Sequence, residues 1–189
     1  TTIPQGRQVL ASDGIAYLRG LGLKIPDDGS RQGGTLLVTG AIAQGRTYNP
    51  NPDTAVGGTY GVAYPALDAA RRAKTSAFVY GLRQDDDVRS NLAIADARVG
   101  NAAVVAYTVE IYDTDTGAKD PVLTLTRSLK GGDWTQIDGI LAQAGISRGY
   151  VRVRPTGGSS DFITYGAVND GPSPGTRTSD GSYLPMVVP

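Results

Sequence analysis

The sequence contains no cysteine and no histidine among its 189 residues. Disulfide bonds and thiolate metal sites are therefore excluded, and so are the usual Ser–His–Asp and Cys–His catalytic arrangements. An excess of one charge is also lacking, because 18 basic and 18 acidic residues give a formal net charge of zero. This balance argues against a broad nucleic-acid footprint and a polybasic membrane patch, which both need a basic face. No apolar run approaches the roughly 18 residues of a membrane-span candidate.

The chain also lacks an initiator methionine and a secretory signal, since it starts at Thr1 with a polar segment. We therefore expect a mature, processed or excised piece. A composition free of cysteine, poor in lysine and rich in glycine and threonine favours a bacterial secreted protein. The expected location is extracellular or at the cell surface.

An internal repeat with an offset of about 125 residues is the most informative pattern in the chain. The matched segments are Asp13-Gly14-Ile15 with Asp138-Gly139-Ile140, Gly20-Leu21 with Gly145-Ile146, Gly40-Ala41-Ile42 with Gly166-Ala167-Val168, and Gly58-Thr59-Tyr60 with Gly181-Ser182-Tyr183. The chain holds about one and a half such units. We predict an incomplete module, the C-terminal part of a β-sandwich, over residues 1–75 and a complete β-sandwich module over residues 76–189. Small repeated modules usually build surfaces, stalks or arrays.

Alternating apolar residues bounded by Gly, Asn, Asp and Pro predict an all-β fold, an antiparallel β-sandwich of general Ig-like architecture with one short helix per module. The clearest run covers residues 103–112, and its more apolar face consists of Val105, Tyr107, Val109 and Ile111. A turn over residues 113–117 leads to a partner strand over residues 122–126. Further strands are predicted over residues 77–82, 92–95, 150–154, 162–168 and 183–188.

A helix is predicted in each module by an N-cap, an apolar stripe and a glycine stop. In the second module Asp138 is the predicted cap and Gly145 the stop, around the stripe of Ile140, Leu141 and Ala144. The first module repeats this pattern from Asp13 or Ser12, through Ile15, Leu18 and Leu21, to Gly20 or Gly22. Residues 68–75 are predicted to join the modules through one helical turn.

Several segments together resemble a known class of module. They are Tyr80-Gly81-Leu82, Arg89-Ser90-Asn91-Leu92, the run from Val109 to Gly117, and Tyr165-Gly166-Ala167-Val168-Asn169-Asp170. As a set they resemble the tandem β-sandwich modules of large secreted bacterial proteins, often C-terminal to a secreted protease or other exported domain. Ser90 stands where threonine is commoner in that family. The resemblance implies an extracellular, non-catalytic accessory or surface module and leaves its biochemical role open.

Two acidic turns are the candidate cation sites. Asp113 and Asp115 alternate before Gly117, and residues 85–87 are three consecutive aspartates. Ca²⁺ needs six to eight oxygen ligands, and these turns alone do not supply a complete loop pattern. Asp also stabilises turns by accepting hydrogen bonds from its own backbone. Turn formation is therefore the competing interpretation, and no other cofactor is expected.

Other features carry weaker functional signals. Residues 49–53 and 171–175 form proline-punctuated loops at equivalent places in the two copies, and loops on a rigid sandwich can bind ligands. Trp134, the only tryptophan, is expected to pack at the sandwich end rather than to bind sugar. The glycine-rich residues 29–34 do not connect a strand to a helix as a phosphate loop would, so a hairpin turn is expected there.

Three functions remain open from the sequence. The chain is either a structural or adhesive surface module, a carbohydrate-binding accessory domain of a secreted hydrolase, or a hydrolase itself. A shallow face with two or three coplanar exposed aromatic rings would favour sugar binding. A flat, threonine-rich polar face with an open strand edge would favour assembly or adhesion.

The prediction about partners depends on the first module being incomplete. Without its opening strands it would expose apolar side chains, namely Ile3, Val9, Leu36, Val38, Ile42 and Val62. We expect protein outside this chain to cover them, either a separate N-terminal piece of a precursor or another copy of the chain in a dimer or fibre. A self-sufficient trimmed fold is the remaining alternative. Carbohydrate is a possible ligand, and neither nucleic acid nor a membrane span is expected.

Overall fold

The structure is a computed structural model that describes residues 2–25, 35–51, 55, 57–174 and 176–189. The chain divides into two compact units, Thr1–Gly33 and Gly34–Pro189. The strands lie in the second unit and pair antiparallel throughout. The predicted mostly-β, antiparallel fold is therefore confirmed.

Among its described residues, 2–25, the first unit contains one short helix, α1 (Gly14–Gly20). It begins where the sequence predicts, because the Asp13 carboxylate accepts a hydrogen bond of 2.8 Å from the backbone N–H of Ala16 and so satisfies one of the free amides of the first turn. At the other end, the side chain of Arg19 donates to the carbonyl of Ile25 over 2.9 Å. No residue of α1 is buried, so little packing supports the helix.

The described residues of the second unit form ten strands and one α-helix. In chain order the strands are β1 (Gln44–Pro50), β2 (Thr59–Pro65), β3 (Ala77–Arg83), β4 (Val88–Asp96), β5 (Val105–Asp113), β6 (Leu123–Leu129), β7 (Trp134–Ile137), β8 (Arg148–Pro155), β9 (Phe162–Asp170) and β10 (Gly181–Val187). The helix α2 (Ile140–Ala144) lies between β7 and β8. All seven strands predicted for residues 76–189 are confirmed. The predicted junction contains a single 3₁₀ turn, Ala69–Arg71, which the Asp68 carboxylate caps.

Eight of the strands form one antiparallel sheet in the order β6-β5-β8-β3-β10-β9-β4-β7. Strand β10 connects its two halves, because residues 181–185 pair with β9 while Met186 and Val187 pair with β3. Pro185 lies at this change of partner, where the absence of a backbone N–H is tolerated. The remaining strands, β1 and β2, form a separate antiparallel hairpin.

Both halves of the eight-stranded sheet contribute to one hydrophobic core. Leu92, Ile94 and Phe162 come from one half, and Val109 and Val151 come from the other. The side chains of alternate residues point to opposite faces of a strand, so the predicted apolar face of β5 is the inner face. Its members Tyr107, Val109 and Ile111 are fully buried.

The hairpin β1–β2 packs on the outer face of β9 and β10. Gly181 permits this contact, because a Cβ built there would lie only 2.3 Å from Val62 Cγ2. The N–H of Gly61 also donates to the Asp180 carboxylate over 2.9 Å. The predicted exposure of Val62 is therefore wrong: this side chain is 4% exposed because it packs on the sheet.

The cap of α2 differs from the prediction. The N-cap is Gly139 in a left-handed conformation with φ of +54°, and no side chain caps the helix. The Asp138 carboxylate instead accepts a hydrogen bond of 2.5 Å from the side chain of Gln136. The predicted stop is confirmed, because Gly145 ends the helix with φ of +68°, a conformation that glycine adopts at little cost.

The order of elements does not establish the predicted repeat. Helix α1 is followed by the hairpin β1–β2, whereas β8 comes between α2 and the pair β9–β10. Residues 2–12 contain no strand that corresponds to β7, and the positions about 125 residues before β8, residues 23–30, lie mostly outside the described residues. Gly40 lies outside any strand with φ of +71°, whereas Gly166 lies within β9, so the predicted equivalence of these two glycines is wrong. The division into modules at residue 75 stays a prediction.

Candidate binding surface

The outer face of β3, β8, β5 and β6 carries an aromatic row, and we call this surface the open face. Tyr80, Tyr150 and Tyr112 come from three adjacent strands, with Phe78 beside Tyr80. The ring centroids of Tyr112 and Tyr150 are 4.8 Å apart with an interplanar angle of 4°. Tyr80 lies 5.3 Å from Tyr150 at 33° and 5.9 Å from Phe78 at 9°.

The spacing shows how these rings are presented. A centroid separation of 4.8 Å equals the distance between neighbouring strands, about 4.7–4.9 Å. Two rings that lie side by side in one plane cannot approach so closely, so Tyr112 and Tyr150 stack against each other and occlude the faces they share. Tyr80, 49% exposed, is the most accessible ring of the row, whereas Tyr112 is 7% exposed. The open face therefore lacks the coplanar platform that sugar stacking requires.

A charged group lies beside the aromatic row. Glu110 of β5 accepts hydrogen bonds from Arg152 over 2.5 Å and from Arg154 over 3.3 Å. The hydrogen bond from Arg152 is the main cause that lowers the pKa of Glu110, and burial opposes it. The same contact raises the pKa of Arg152. Both arginines donate to the single carboxylate of Glu110, so this cluster stabilises the face. The Glu110 carboxylate is therefore not free to bind a ligand.

Hydroxyl side chains occupy the part of the open face nearest the sheet edge. Thr124, Thr126 and Ser128 of β6 are exposed, and Thr108 bonds to Thr156 over 3.1 Å. Strand β6 is the last strand of the sheet and pairs with β5 alone among the described residues. A threonine-rich face next to an open edge is the combination expected of a surface for assembly or adhesion.

The outer face of the other half of the sheet carries a second aromatic group, but it is covered. Tyr64 of β2 contacts Tyr165 edge-on at 5.5 Å and Tyr183 at 6.1 Å. Trp134 belongs to β7 rather than to the connection before α2, and its indole N–H donates to the Tyr165 hydroxyl over 3.3 Å. Burial raises the pKa of Tyr165 to about 12. Trp134 therefore packs within the protein instead of presenting a sugar platform.

The two cation candidates are organised as turns. The Asp113 carboxylate accepts from the backbone N–H of Asp115 over 2.8 Å. Asp85 accepts from the N–H groups of Asp87 and Val88, both at 2.9 Å, and these bonds are the main cause that lowers the pKa of Asp85. Within the described ranges no three or more acidic, histidine or cysteine side chains converge in a way that could hold a metal ion.

The loop between β9 and β10 is held by a buried arginine to which the sequence assigned no role beyond its place in the Arg89-Ser90-Asn91-Leu92 segment. Arg89 of β4 donates to the carbonyls of Asp170, Gly171 and Ser173 at 3.1, 2.9 and 3.3 Å, and to the Ser179 hydroxyl at 3.0 Å. Burial lowers the pKa of Arg89, and Asp138 and Asp170 oppose that effect. This anchoring makes the described part of the loop a structured connection.

The loop after β1 is also anchored. The side chain of Asn51 donates to the carbonyl of Gly57 over 2.8 Å, and the backbone N–H of Asn51 donates to Gly58 over 3.0 Å. Of the two predicted proline loops, Pro52, Asp53 and Gly175 lie outside the described residues, as do the glycine-rich residues 29–34.

A buried polar cluster connects β4, β5 and the segment before β9. Asp96 is fully buried and accepts from the Tyr107 hydroxyl over 3.0 Å and from Arg98 over 2.6 Å. Ser160 lies 3.2 Å from the same Tyr107 hydroxyl. Burial, which acts against ionisation, raises the pKa of Tyr107 to about 12. Every member has a partner, so the cluster is structural.

Comparison with known proteins finds no matching family model, no matching curated protein and no matching solved structure. Across the described part of the chain, none of the helices has the length and apolar character to cross a membrane.

Proposed function

We propose that this chain is a non-catalytic structural or adhesive module of an extracellular or cell-surface protein, and that protein outside the chain covers its N-terminal part. In this proposal the two halves of the eight-stranded sheet form a β-sandwich, and the segment before β1 belongs to a second, incomplete module. The observation that carries the proposal is the exposure of apolar side chains before β1.

Apolar side chains are abundant in this segment, and none of those at described positions is buried. Leu10 is 87% exposed and Ile42 is 94% exposed. The other exposed members are Ile3, Val9, Ile15, Tyr17, Leu21, Leu23, Leu36, Leu37 and Val38. In the predicted set, Ile3, Val9, Leu36, Val38 and Ile42 are thus exposed as expected.

The free energy favours covering such a set. Removing apolar surface from water contributes about 25 cal/mol per Å², so covering roughly 400 Å² of it contributes about 10 kcal/mol. Monomeric proteins rarely leave larger contiguous apolar patches uncovered. A helix as short as α1 is also marginal without tertiary packing. These arguments favour completion by a separate precursor segment or by another copy of the chain.

The carbohydrate-binding alternative receives less support. It requires free aromatic faces, and the open face presents stacked rings of which only Tyr80 is substantially accessible. The hydrolase alternative has no specific observation in its favour. Glu110 and Asp96, the two buried acids of the sheet, are each bound by arginine.

Sedimentation velocity over a range of concentrations tests the proposal. We expect the wild-type chain either to self-associate or to carry a second polypeptide that is visible on a denaturing gel. Replacing Leu10 and Ile42 together with serine should reduce that association without lowering the melting temperature, because neither side chain packs in the core. Val122→Ser, at an exposed apolar residue between β5 and β6, is the matched control and should leave association unchanged. A stable wild-type monomer without a second polypeptide would contradict the proposal.

A further inference from the structure

The backbone of β6 has one side that no other described strand occupies. The N–H of Thr156 donates to the carbonyl of Ala106 over 2.8 Å, so the even-numbered residues of β5 bond towards β8 and the odd-numbered ones bond towards β6. The register pairs Val109 with Leu125, which directs the odd-numbered residues of β6 towards β5. The N–H and C=O groups of Thr124, Thr126 and Ser128 therefore point to the open edge.

This edge lacks most of the features that prevent strand addition. Strand β6 has seven residues, no proline and no register shift against β5. The opposite edge strand, β7, has only four residues and leads into α2, and short edge strands are poor templates for pairing. Among these two edges, β6 is the one that can accept another strand.

One side chain closes part of the β6 edge. Arg127 donates from Nη1 to the carbonyl oxygen of Thr126 over 2.8 Å. That carbonyl belongs to the outward set, so the guanidinium occupies an acceptor that an added strand would need. Arg127 is also the only charged residue of β6, and a charge near an edge is a common protection against pairing.

We propose that β6 is a strand-acceptor edge for the β6 strand of a second copy of this chain, and that Arg127 holds the edge closed. The two strands pair antiparallel about Thr126, which gives the fullest overlap of their seven residues. This register places Arg127 opposite Leu125, so the two arginines do not face each other. It places Thr124 opposite Ser128 and Thr126 opposite itself, which are favourable cross-strand pairs.

This inference concerns a different surface from the proposed function. It does not use the exposed side chains before β1, and it would stand if those residues proved to pack within the isolated chain. The two ideas also respond to different substitutions, so the failure of one is distinguishable from the failure of the other.

Replacing Arg127 with threonine tests whether this side chain holds the β6 edge closed. Sedimentation equilibrium should give a dimer dissociation constant at least about tenfold lower for Arg127→Thr than for the wild type. Lys119→Thr, which removes the same charge from an exposed turn, should behave as the wild type. Equal dissociation constants for wild type and a folded Arg127→Thr variant would overturn the proposal.

A proline substitution distinguishes edge pairing from other association. Thr124→Pro removes an outward N–H and leaves the bonds between β6 and β5 in place, which edge strands tolerate. Added to Arg127→Thr, it should restore the wild-type dissociation constant. Dimerisation that persists in the folded double variant would exclude pairing through β6.

Spin labels provide a readout that does not depend on Arg127→Thr. Because the chain has no native cysteine, single cysteines at positions 124, 126 and 128 can be labelled cleanly in the wild-type background at high concentration. Pairing about Thr126 predicts the strongest dipolar broadening at position 126. Labels at 124 and 128 should show equal and weaker broadening, since four residues at about 3.3 Å each add roughly 13 Å. Broadening that is absent at 126, or unequal at 124 and 128, would refute this register.

Discussion

Replacing Asp96 with asparagine should lower the free energy of unfolding by about 2–4 kcal/mol. Asp96 is fully buried in β4. Its two oxygens accept from the Arg98 side chain at 2.9 and 2.6 Å, from the Arg98 backbone at 3.0 Å and from the Tyr107 hydroxyl at 3.0 Å. An asparagine can keep some of these bonds through its oxygen, but its amide group would face the donors of Arg98.

The magnitude follows from the environment of the pair. Removing one partner of a buried ion pair costs about 3–5 kcal/mol, and a hydrogen bond to a charged group contributes about 1.5–3 kcal/mol. The Arg98 side chain is 19% exposed and also donates to the carbonyl of Ala103 over 3.0 Å. These alternatives reduce the penalty of leaving Arg98 without its carboxylate, so we expect a cost between the two values, about 2–4 kcal/mol.

Urea denaturation of the wild type and of Asp96→Asn measures this difference. Asp115→Asn is the matched control, because Asp115 is exposed and most surface substitutions change stability by less than about 0.5 kcal/mol. If Asp96→Asn were as stable as the control, the Asp96 cluster would not be an important stabilising element of the sheet.

The same variant has a defined pH dependence. Burial acts to raise the pKa of Asp96, but the hydrogen bonds from Arg98 and Tyr107 outweigh it and the net shift is downwards. The unfolded chain therefore binds this proton at a higher pH than the folded protein does. The stabilisation is fully present above the unfolded pKa, about 3.9, and is lost as pH falls through the folded pKa. The stability difference between wild type and Asp96→Asn should narrow as pH falls below about 4.

Two further substitutions test the core and the acidic turn. Gly166→Ala should cost about 1–3 kcal/mol, because the added Cβ would lie 3.0 Å from methyl carbons of both Leu82 and Val79. Gly157→Ala, with no atom within 4 Å of its Cβ, should be nearly neutral in the same denaturation assay. Millimolar Ca²⁺ should leave the melting temperature unchanged, because the Asp113 carboxylate already accepts a backbone hydrogen bond. A large increase that Asp115→Ala abolishes would instead establish a Ca²⁺ site.

The strands that the sequence predicts are those with a clear two-residue period. Strand β5 alternates buried apolar residues with Thr108, Glu110 and Tyr112, and its period identifies both the strand and its inner face. Strand β7 was missed because it has only four residues, two of them polar. Strand β1 was missed because its glycine, asparagine and proline have low β propensity. Pairing with β2 along its full length compensates for that composition.

The errors in the prediction come from contacts that are distant in sequence or that compete locally. Asp138 has the residue type of an N-cap, but Gly139 begins the helix in a left-handed conformation and Gln136 binds the carboxylate. Val62 is buried because Gly181, 119 residues later, leaves room for it. Neither outcome is visible in a local pattern, since each depends on which of several partners lies closest in space.

The sequence predicts the candidate binding surface only as two alternatives, an aromatic face that binds sugar or a threonine-rich face that supports assembly or adhesion. The aromatic residues can be read from the sequence, yet whether Tyr112 and Tyr150 lie coplanar or stacked depends on their strands being neighbours in the sheet. The role of Arg89 could have been suspected from its position in a segment of otherwise small or apolar residues, where a charged side chain must find partners. Its loop partners, some eighty residues away, could not be identified.

Hydrogen exchange of the chain, freed of any second polypeptide and diluted until it is monomeric, tests the need for completion from outside the chain most directly. The segment before β1 is not self-sufficient in this proposal, because α1 buries no residue and the described apolar side chains around it are exposed. We expect the amides of residues 14–20 to exchange almost as fast as those of an unstructured peptide, whereas the amides of β4, β8 and β9 should be strongly protected. Protection of α1 as strong as that of β4 in a chain shown to be monomeric would contradict the account.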